Sequence, residues 1–295
     1  MIDLRLLIAG FAIDITNKSN HQVELEEGYE PFLSQELSLP ASVQVNAYSD
    51  ITEELRQFDS PIYSADFEGN RLWQIATTID GFRIHVYSPV APFGLQQVAD
   101  LSKDFLVWDV YSNPMEWQGE TKLFPLLYPL GPLVMYYLTV KFDAVMIHGS
   151  GISDSGIGRI FTGVSGQGKT TMAKLWFDAG AEVLNDDRLI VRKTETGYRV
   201  FNTPMFYKDQ PRSAYLKSIY SIRHASANSL EPCNNSEAVI SVAANLIQHG
   251  YSQDITSHHL NFLDEMIQSV SVHKFGFVPN EDVVEKIRNQ SNEDA

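Results

Sequence analysis

Gly163-Val164-Ser165-Gly166-Gln167-Gly168-Lys169-Thr170-Thr171 decides how this chain is read. The stretch fits the phosphate-binding pattern G-x-x-x-x-G-K-[ST], and its flanks are those that such a loop requires. Arg159-Ile160-Phe161-Thr162 before it reads as a short strand. Thr171 to Ala179 after it reads as a helix with Met172, Leu175, Trp176 and Ala179 on one face, and Gly180 supplies the stop. In that setting the glycines let consecutive backbone N–H groups turn toward a polyphosphate, and the helix N-terminus adds the positive end of its dipole. Lys169 is then placed to neutralise the β- and γ-phosphates, and the Thr170 hydroxyl to hold Mg²⁺. The expected ligand is a nucleotide, ATP with Mg²⁺, held by Gly163, Ser165, Gly166, Gln167, Gly168, Lys169, Thr170 and Thr171.

Working downstream, the apolar run Ala181-Glu182-Val183-Leu184-Asn185 reads as a strand ending in Asp186-Asp187 beside the loop. Only seventeen positions separate Lys169 from Asp186, room for one helix and one strand. In Ras-like switches and most ATPase motors the magnesium-binding acid comes after further strands, so this chain belongs to another class of phosphate-loop protein. Two adjacent carboxylates at a strand end project to different sides, one toward Mg²⁺ and the other toward an acceptor. The bland alternative is a turn with a solvated acidic pair.

Working upstream, Val145-Met146-Ile147-His148-Gly149-Ser150 is an apolar strand interrupted by one histidine. Asp154-Ser155-Gly156-Ile157-Gly158 reads as a tight turn that pairs this strand with the one leading into the loop. That hairpin brings His148 toward the nucleotide. A histidine in an apolar strand is otherwise an ordinary core residue, and both readings stand on the residues alone.

His148-Gly149, the loop ending Gly168-Lys169-Thr170 and the pair Asp186-Asp187 together resemble the catalytic domain of HPr kinase/phosphorylase, whose fold is that of the ATP-dependent phosphoenolpyruvate carboxykinases. The likeness runs from about Val145 to Arg192. It is closer still to the HPr-kinase-related proteins of bacterial gene clusters, some of which phosphorylate peptides, through Asp186-Asp187-Arg188 and Thr203-Pro204. The resemblance implies Asp186 as general base for an acceptor hydroxyl, Asp187 on the metal or phosphates, and His148 tuning Asp186, with Lys169 as the third catalytic residue. The family's Glu-x-Arg-Gly-type stretch is absent, and Thr203 to Arg212 stands in its place. That departure argues against HPr itself as the acceptor and against the phosphorylase reaction.

Composition narrows the class further. The chain has 295 residues with 44 % hydrophobic and 11 % aromatic content, enough for one large core or two domains. A net charge of −15 speaks against a nucleic-acid partner and against docking on anionic lipid. One cysteine, Cys233, excludes an internal disulfide and suggests a reducing, cytoplasmic setting. The histidines form no zinc-binding spacing. The uncharged run from Leu123 to Val140 contains Pro125, Pro129, Gly131 and Pro132, so it reads as a loop turning into a buried helix near Pro132, not as a membrane span.

The expected architecture is α/β (α+β): a strand-rich accessory or acceptor-recognition domain over residues 1–120, then a carboxykinase-like P-loop domain over 121–295. Leu4 to Ile15 reads as one strand, and Asp80-Gly81 as a hairpin turn between Arg71–Ala76 and Phe82–Tyr87. Trp73, Tyr87 and Trp108 suit either a binding surface or packing. Ala238 to Gln248 and Ile255 to Val270 read as helices separated by Gly250, and Asn280 as the cap of a last helix from Glu281. The function expected is an ATP-dependent kinase acting on a hydroxyl of a peptide, protein or small metabolite; the alternative is a nucleotide-binding regulator that has lost transfer. The acceptor and the oligomeric state are not encoded in any visible motif, and a homo-oligomer stays open.

Overall fold

Two residues in the left-handed region, Ala9 (φ 51°) and Gly10 (φ 76°), fold the apolar run at the N-terminus back on itself. The stretch expected as one strand is therefore two, Leu4–Ile8 and Phe11–Asn17, antiparallel with Ile8 opposite Phe11. A two-residue turn with both φ positive matches the right-handed twist of its flanking strands. Gly10 adopts it freely, whereas Ala9 carries a strain of about 1–2 kcal/mol, and the strand pairing holds it there. The computed structural model describes residues 2–36, 38–280 and 282–293, so the expected helix start at Glu281 lies outside the described residues.

The protein is mixed α/β and divides into two compact units. The first is Met1–Phe142 with the short segments Pro204–Gln210 and His249–Ser252, and the second is Asp143–Thr203, Pro211–Gln248 and Gln253–Ala295. The first unit is built on an eight-stranded sheet in the order Leu4–Ile8, Phe11–Asn17, Val43–Ser49, Val107–Ser112, Leu95–Ser102, Gly81–Tyr87, Asn70–Thr77, Tyr63–Phe67. Val43–Ser49 runs parallel to both neighbours. The hairpin expected about Asp80-Gly81 is present, with Trp73 opposite Val86 and Thr77 opposite Phe82. Trp73 and Trp108 are buried core residues and Tyr87 is half-buried, so the two indoles pack and do not form a surface.

The first unit continues past residue 120, where the sequence suggested a break. Gln118 and Gly119 (φ 53° and 83°) make only a local turn, joining Met115–Trp117 to Glu120–Leu123. The helix Leu130–Lys141 that follows is buried on every side, and its Tyr137 ring lies 4.7 Å from Phe105 and 5.7 Å from Trp108. A helix with no polar face belongs to the core it fills, and this core is that of the first sheet. Among the described residues no helix is long and apolar enough to cross a membrane.

In the second unit the strands Ile157–Thr162, Ala144–Asp154, Arg188–Thr194, Gly197–Asn202 and Ser213–His224 follow in that order, then Ser271–Phe277 and Ser229–Pro232. Glu182–Asn185 also pairs with Ala144–Asp154. Ile157–Thr162 pairs in parallel with Ser213–His224 as well, so the path through the first five strands returns to its start. Thr162, the last residue before the glycine loop, thus has Gly149 on one side and Ser221 on the other. The helix after the loop, Lys169–Asp178, buries Met172, Ala173 and Trp176 in a cluster with Phe161, Tyr220, Phe275 and Phe277. Helices Asn235–Ala243 and Gln253–Met266 cover a second cluster containing Val145, Ile147 and Val191. The last helix, Asp282–Glu293, adds Val283, Val284 and Ile287 to the first cluster.

Candidate functional site

Gly168 is the N-cap of Lys169–Asp178, with φ 95° and ψ 25°. A Cβ there would stand 2.6 Å from the Phe277 ring and 3.3 Å from that of His224, so both the backbone conformation and the space require glycine. At the far end the Ala181 N–H donates to Trp176 O (3.0 Å) and the Gly180 N–H to Phe177 O (2.9 Å). This paired closure around left-handed Gly180 is the helix stop read from the sequence. Of the expected helix face, Met172 and Trp176 are buried, Leu175 is half-buried and Ala179 is exposed; Ala173 is buried in its place.

The loop is closed on itself. Gln167 Oε1 accepts from the Val164 N–H at 3.1 Å. Lys169 is 9 % exposed, and its ammonium donates to Gly163 O at 2.8 Å and Val164 O at 3.3 Å. Ser165, Gly166, Thr170 and Thr171 are exposed around this folded-back lysine. Phosphate oxygens would offer that ammonium charged acceptors in place of two neutral carbonyls, and charge-assisted hydrogen bonds are about twice as strong. His224 Nε2 also lies 3.3 Å from Gly166 O, a neighbour that no motif announced.

The hairpin carrying His148 forms as read, turning at Ser155 (φ 55°) and Gly156 (φ 83°). The Thr162 hydroxyl donates to His148 O at 2.8 Å, tying this strand to the one that leads into the loop. On its other edge the same strand is flanked by Glu182–Asn185 and Arg188–Thr194, with Gly151 opposite Asn185 and His148 opposite Arg188. The acid pair is the bend between those two strands, held against Ser150 and Gly149. The Gly149 N–H donates to Asp187 O at 3.0 Å, and the Ser150 hydroxyl donates to Asp186 Oδ1.

Asp186 and Asp187 meet different surroundings. Asp187 Oδ1 lies 3.2 Å from His148 Nδ1 and its Oδ2 lies 3.0 Å from Arg188 Nε. A carboxylate can only accept, so the His148 nitrogen facing it carries the proton. The hydrogen bond from His148, with the Arg188 charge behind it, holds the Asp187 carboxyl below the usual carboxylate range against the opposing effect of burial. The resemblance implied a histidine serving Asp186; the structure sets His148 on Asp187. Asn185, 4 % exposed, shapes the bend: its Oδ1 accepts from the Asp187 N–H (3.1 Å) and its Nδ2 donates to Thr203 O (3.3 Å). The Thr203 hydroxyl in turn donates to Arg188 O at 3.1 Å.

Loop, histidine and acid pair therefore lie on neighbouring strands of one sheet, as their order suggested. Ser150 and Asn185 were missed as site residues, and Thr203, noted only as half of a Thr-Pro pair, proves to hold the bend. The only signal for Ser150 was its spacing of two from His148, which puts both on one face of a strand. Lys208, in the Thr203 to Arg212 stretch, pairs with Glu30 at 2.6 Å within the first unit.

No protein-family model matches the chain, and no curated protein sequence does. Among solved structures, the HPr(Ser) kinase/phosphatase from Coxiella burnetii is similar at a TM-score of 0.29 and 10 % identity, over 50 % of this chain and 93 % of that one.

Proposed function

We propose that this protein is an ATP-dependent kinase that transfers a γ-phosphoryl group to a hydroxyl of a peptide, protein or small metabolite. The observation that carries this reading is the joining of a glycine loop at a helix N-terminus to an acid pair on the strand beside the loop's own hairpin partner. Asp186 takes the proton of the acceptor hydroxyl, the acceptor oxygen bonds to the γ-phosphorus, and the bond to the β-phosphate breaks to release ADP. Lys169 and the N–H groups of the loop stabilise the charge on the transferring phosphate. Asp187 is suited to a cation more than to a proton, because His148 and Arg188 keep it ionised. Asp187 and the Thr170 hydroxyl are the oxygen donors that would hold Mg²⁺, which takes one or two protein groups plus phosphates. Mg²⁺ there would neutralise charge on the phosphates. The strand-rich first part of the chain, residues 1 to about 120, is assigned acceptor choice, since none of the chemistry-bearing residues falls in it.

The test is an incubation of pure protein with γ-labelled ATP, Mg²⁺ and cell extract, paired with calorimetry of ATP binding. Lys169→Ala should weaken ATP binding or abolish transfer, and Asp186→Asn should lower turnover about 10²–10⁴-fold while leaving thermal stability near that of the parent. ATP binding without transfer in any extract would favour the regulator. Unchanged affinity and turnover in Lys169→Ala would end the assignment.

A further inference from the structure

The sheet that carries the acid pair sets a serine directly against one of its carboxylates. In Ala144–Asp154, Gly151 faces Asn185 and His148 faces Arg188, so Ser150 stands across from Asp186 and Gly149 across from Asp187. Ser150 is 0 % exposed. Its hydroxyl donates to Asp186 Oδ1. Gly149 offers no side chain, and a Cβ there would come within 2.9 Å of Phe161 O; from this strand His148 reaches Asp187, and the serine is the side chain that meets Asp186. A buried hydroxyl whose donor meets a carboxylate is fixed in rotation, and it fixes that carboxylate in return.

We infer that Ser150 is a positioning residue for Asp186 in phosphoryl transfer, an inference that rests on the kinase reading above. Ser150 commits Oδ1 and so leaves Oδ2 as the oxygen that takes the acceptor proton. The strand behind Ser150 is paired on both edges, along Ile157–Thr162 and along the strands flanking the acid pair, so the donor is anchored to the sheet and not to a loop. Without it, the Asp186 side chain can rotate about its own bonds while Asp187 stays held by His148 and Arg188. Loss of orientation by about 1 Å can lower a rate on the order of 10²-fold. Ser150 lies off the phosphate loop and is expected to leave ATP binding alone.

The test uses the full chain, ATP and Mg²⁺, with water as the acceptor. Turnover of ATP to ADP and phosphate is measured for the parent, Ser150→Ala, Asp186→Asn and the double variant, and Ser150→Thr is added because it keeps the donor. Ser150→Ala should lower kcat about 10- to 100-fold with the KM for ATP within about twofold. Ser150→Thr should recover most of the loss, and Ser150→Ala should cost nothing more once Asp186 is Asn. An equal loss in the Asp186→Asn background, or a normal kcat in Ser150→Ala beside a crippled Asp186→Asn, overturns the inference and leaves the kinase reading intact. Absence of ATP binding, or normal turnover in Asp186→Asn, removes the kinase reading and the inference with it. Should the protein bind ATP but not turn it over, the same four proteins are compared by thermal unfolding. Non-additive shifts in Tm support the clamp, and additive shifts overturn it.

Discussion

Replacing Gly168 by alanine should destabilise the second unit by two separable amounts. The first is conformational: at φ 95° an L side chain is strained, at a cost of about 1–2 kcal/mol. The second is steric. The new Cβ would stand 2.6 Å from the Phe277 ring, and that ring has nowhere to retreat, being fully buried with Phe275 6.2 Å and His224 5.3 Å away, ring to ring. Overpacking of this kind typically costs about 1–3 kcal/mol. Together these give about 2–5 kcal/mol, which at roughly 2–4 °C per kcal/mol for a unit of this size lowers Tm by about 10 °C. Phe277→Leu separates the two, because a leucine withdraws the far ring carbon and leaves the backbone strain. Urea unfolding of Gly168→Ala, Phe277→Leu and the double variant should show a coupling of about 1–3 kcal/mol in favour of the pair. A Gly168→Ala protein within 0.5 kcal/mol of the parent, by the ordinary scatter of surface substitutions, would refute both arguments. Strictly additive losses would refute the steric one.

Trp176 is fully buried with the Arg159 guanidinium 5.0 Å and that of Arg288 5.4 Å from its ring, so Trp176→Ala should cost about 3–5 kcal/mol in chemical unfolding. Its indole N–H meets no hydrogen-bond partner among the described residues, so Trp176→Phe should lose much less; equal losses would show that the sandwich contributes nothing. His259, 1 % exposed, has its pKa pushed down to about 4 by burial, with His258 adding to the effect. The unfolded chain therefore binds a proton near pH 6.5 that the folded protein refuses, and stability falls as the pH drops from about 6.5 to 4 and levels off below. The loss from this one group is about 3 kcal/mol, and His259→Leu should remove it; parallel stability–pH curves for parent and variant would contradict the assignment.

What the sequence disclosed, and what it hid, follows from the range of the interactions. The glycine loop, its helix, the hairpin at Ser155-Gly156 and the acid pair are short-range objects whose residue types state their own geometry. The turn at Ala9-Gly10 was invisible because alanine gives no sign of a positive φ, and the apolar pattern runs unbroken through it. The unit boundary was misplaced for a related reason. Asn113-Pro114 and Gly119 signal a turn, and only the all-round burial of Leu130–Lys141 reveals that the core continues beyond it. In the site, the partner of His148 was assigned by analogy to the wrong carboxylate, because two adjacent acids cannot be told apart until the bend between their strands is known. Ser150 and Asn185 act through register and through a loop eighteen residues on at Thr203, neither of which a local pattern records.

The return of the strand path onto Ile157–Thr162 also bears on how the chain is made. The loop is complete by residue 171, yet the strand that carries it needs Ser213–His224 along one edge, and Gly168 rests on Phe277, more than a hundred residues later. Synthesis therefore delivers the glycine loop well before these two supports. A ribosome-bound chain exposed only to residue 200 holds every residue of the motif and the hairpin partner Ala144–Asp154, but neither Ser213–His224 nor Phe277. On the kinase reading proposed above, nucleotide capture should accordingly begin late, after Ser271–Phe277 has left the exit tunnel.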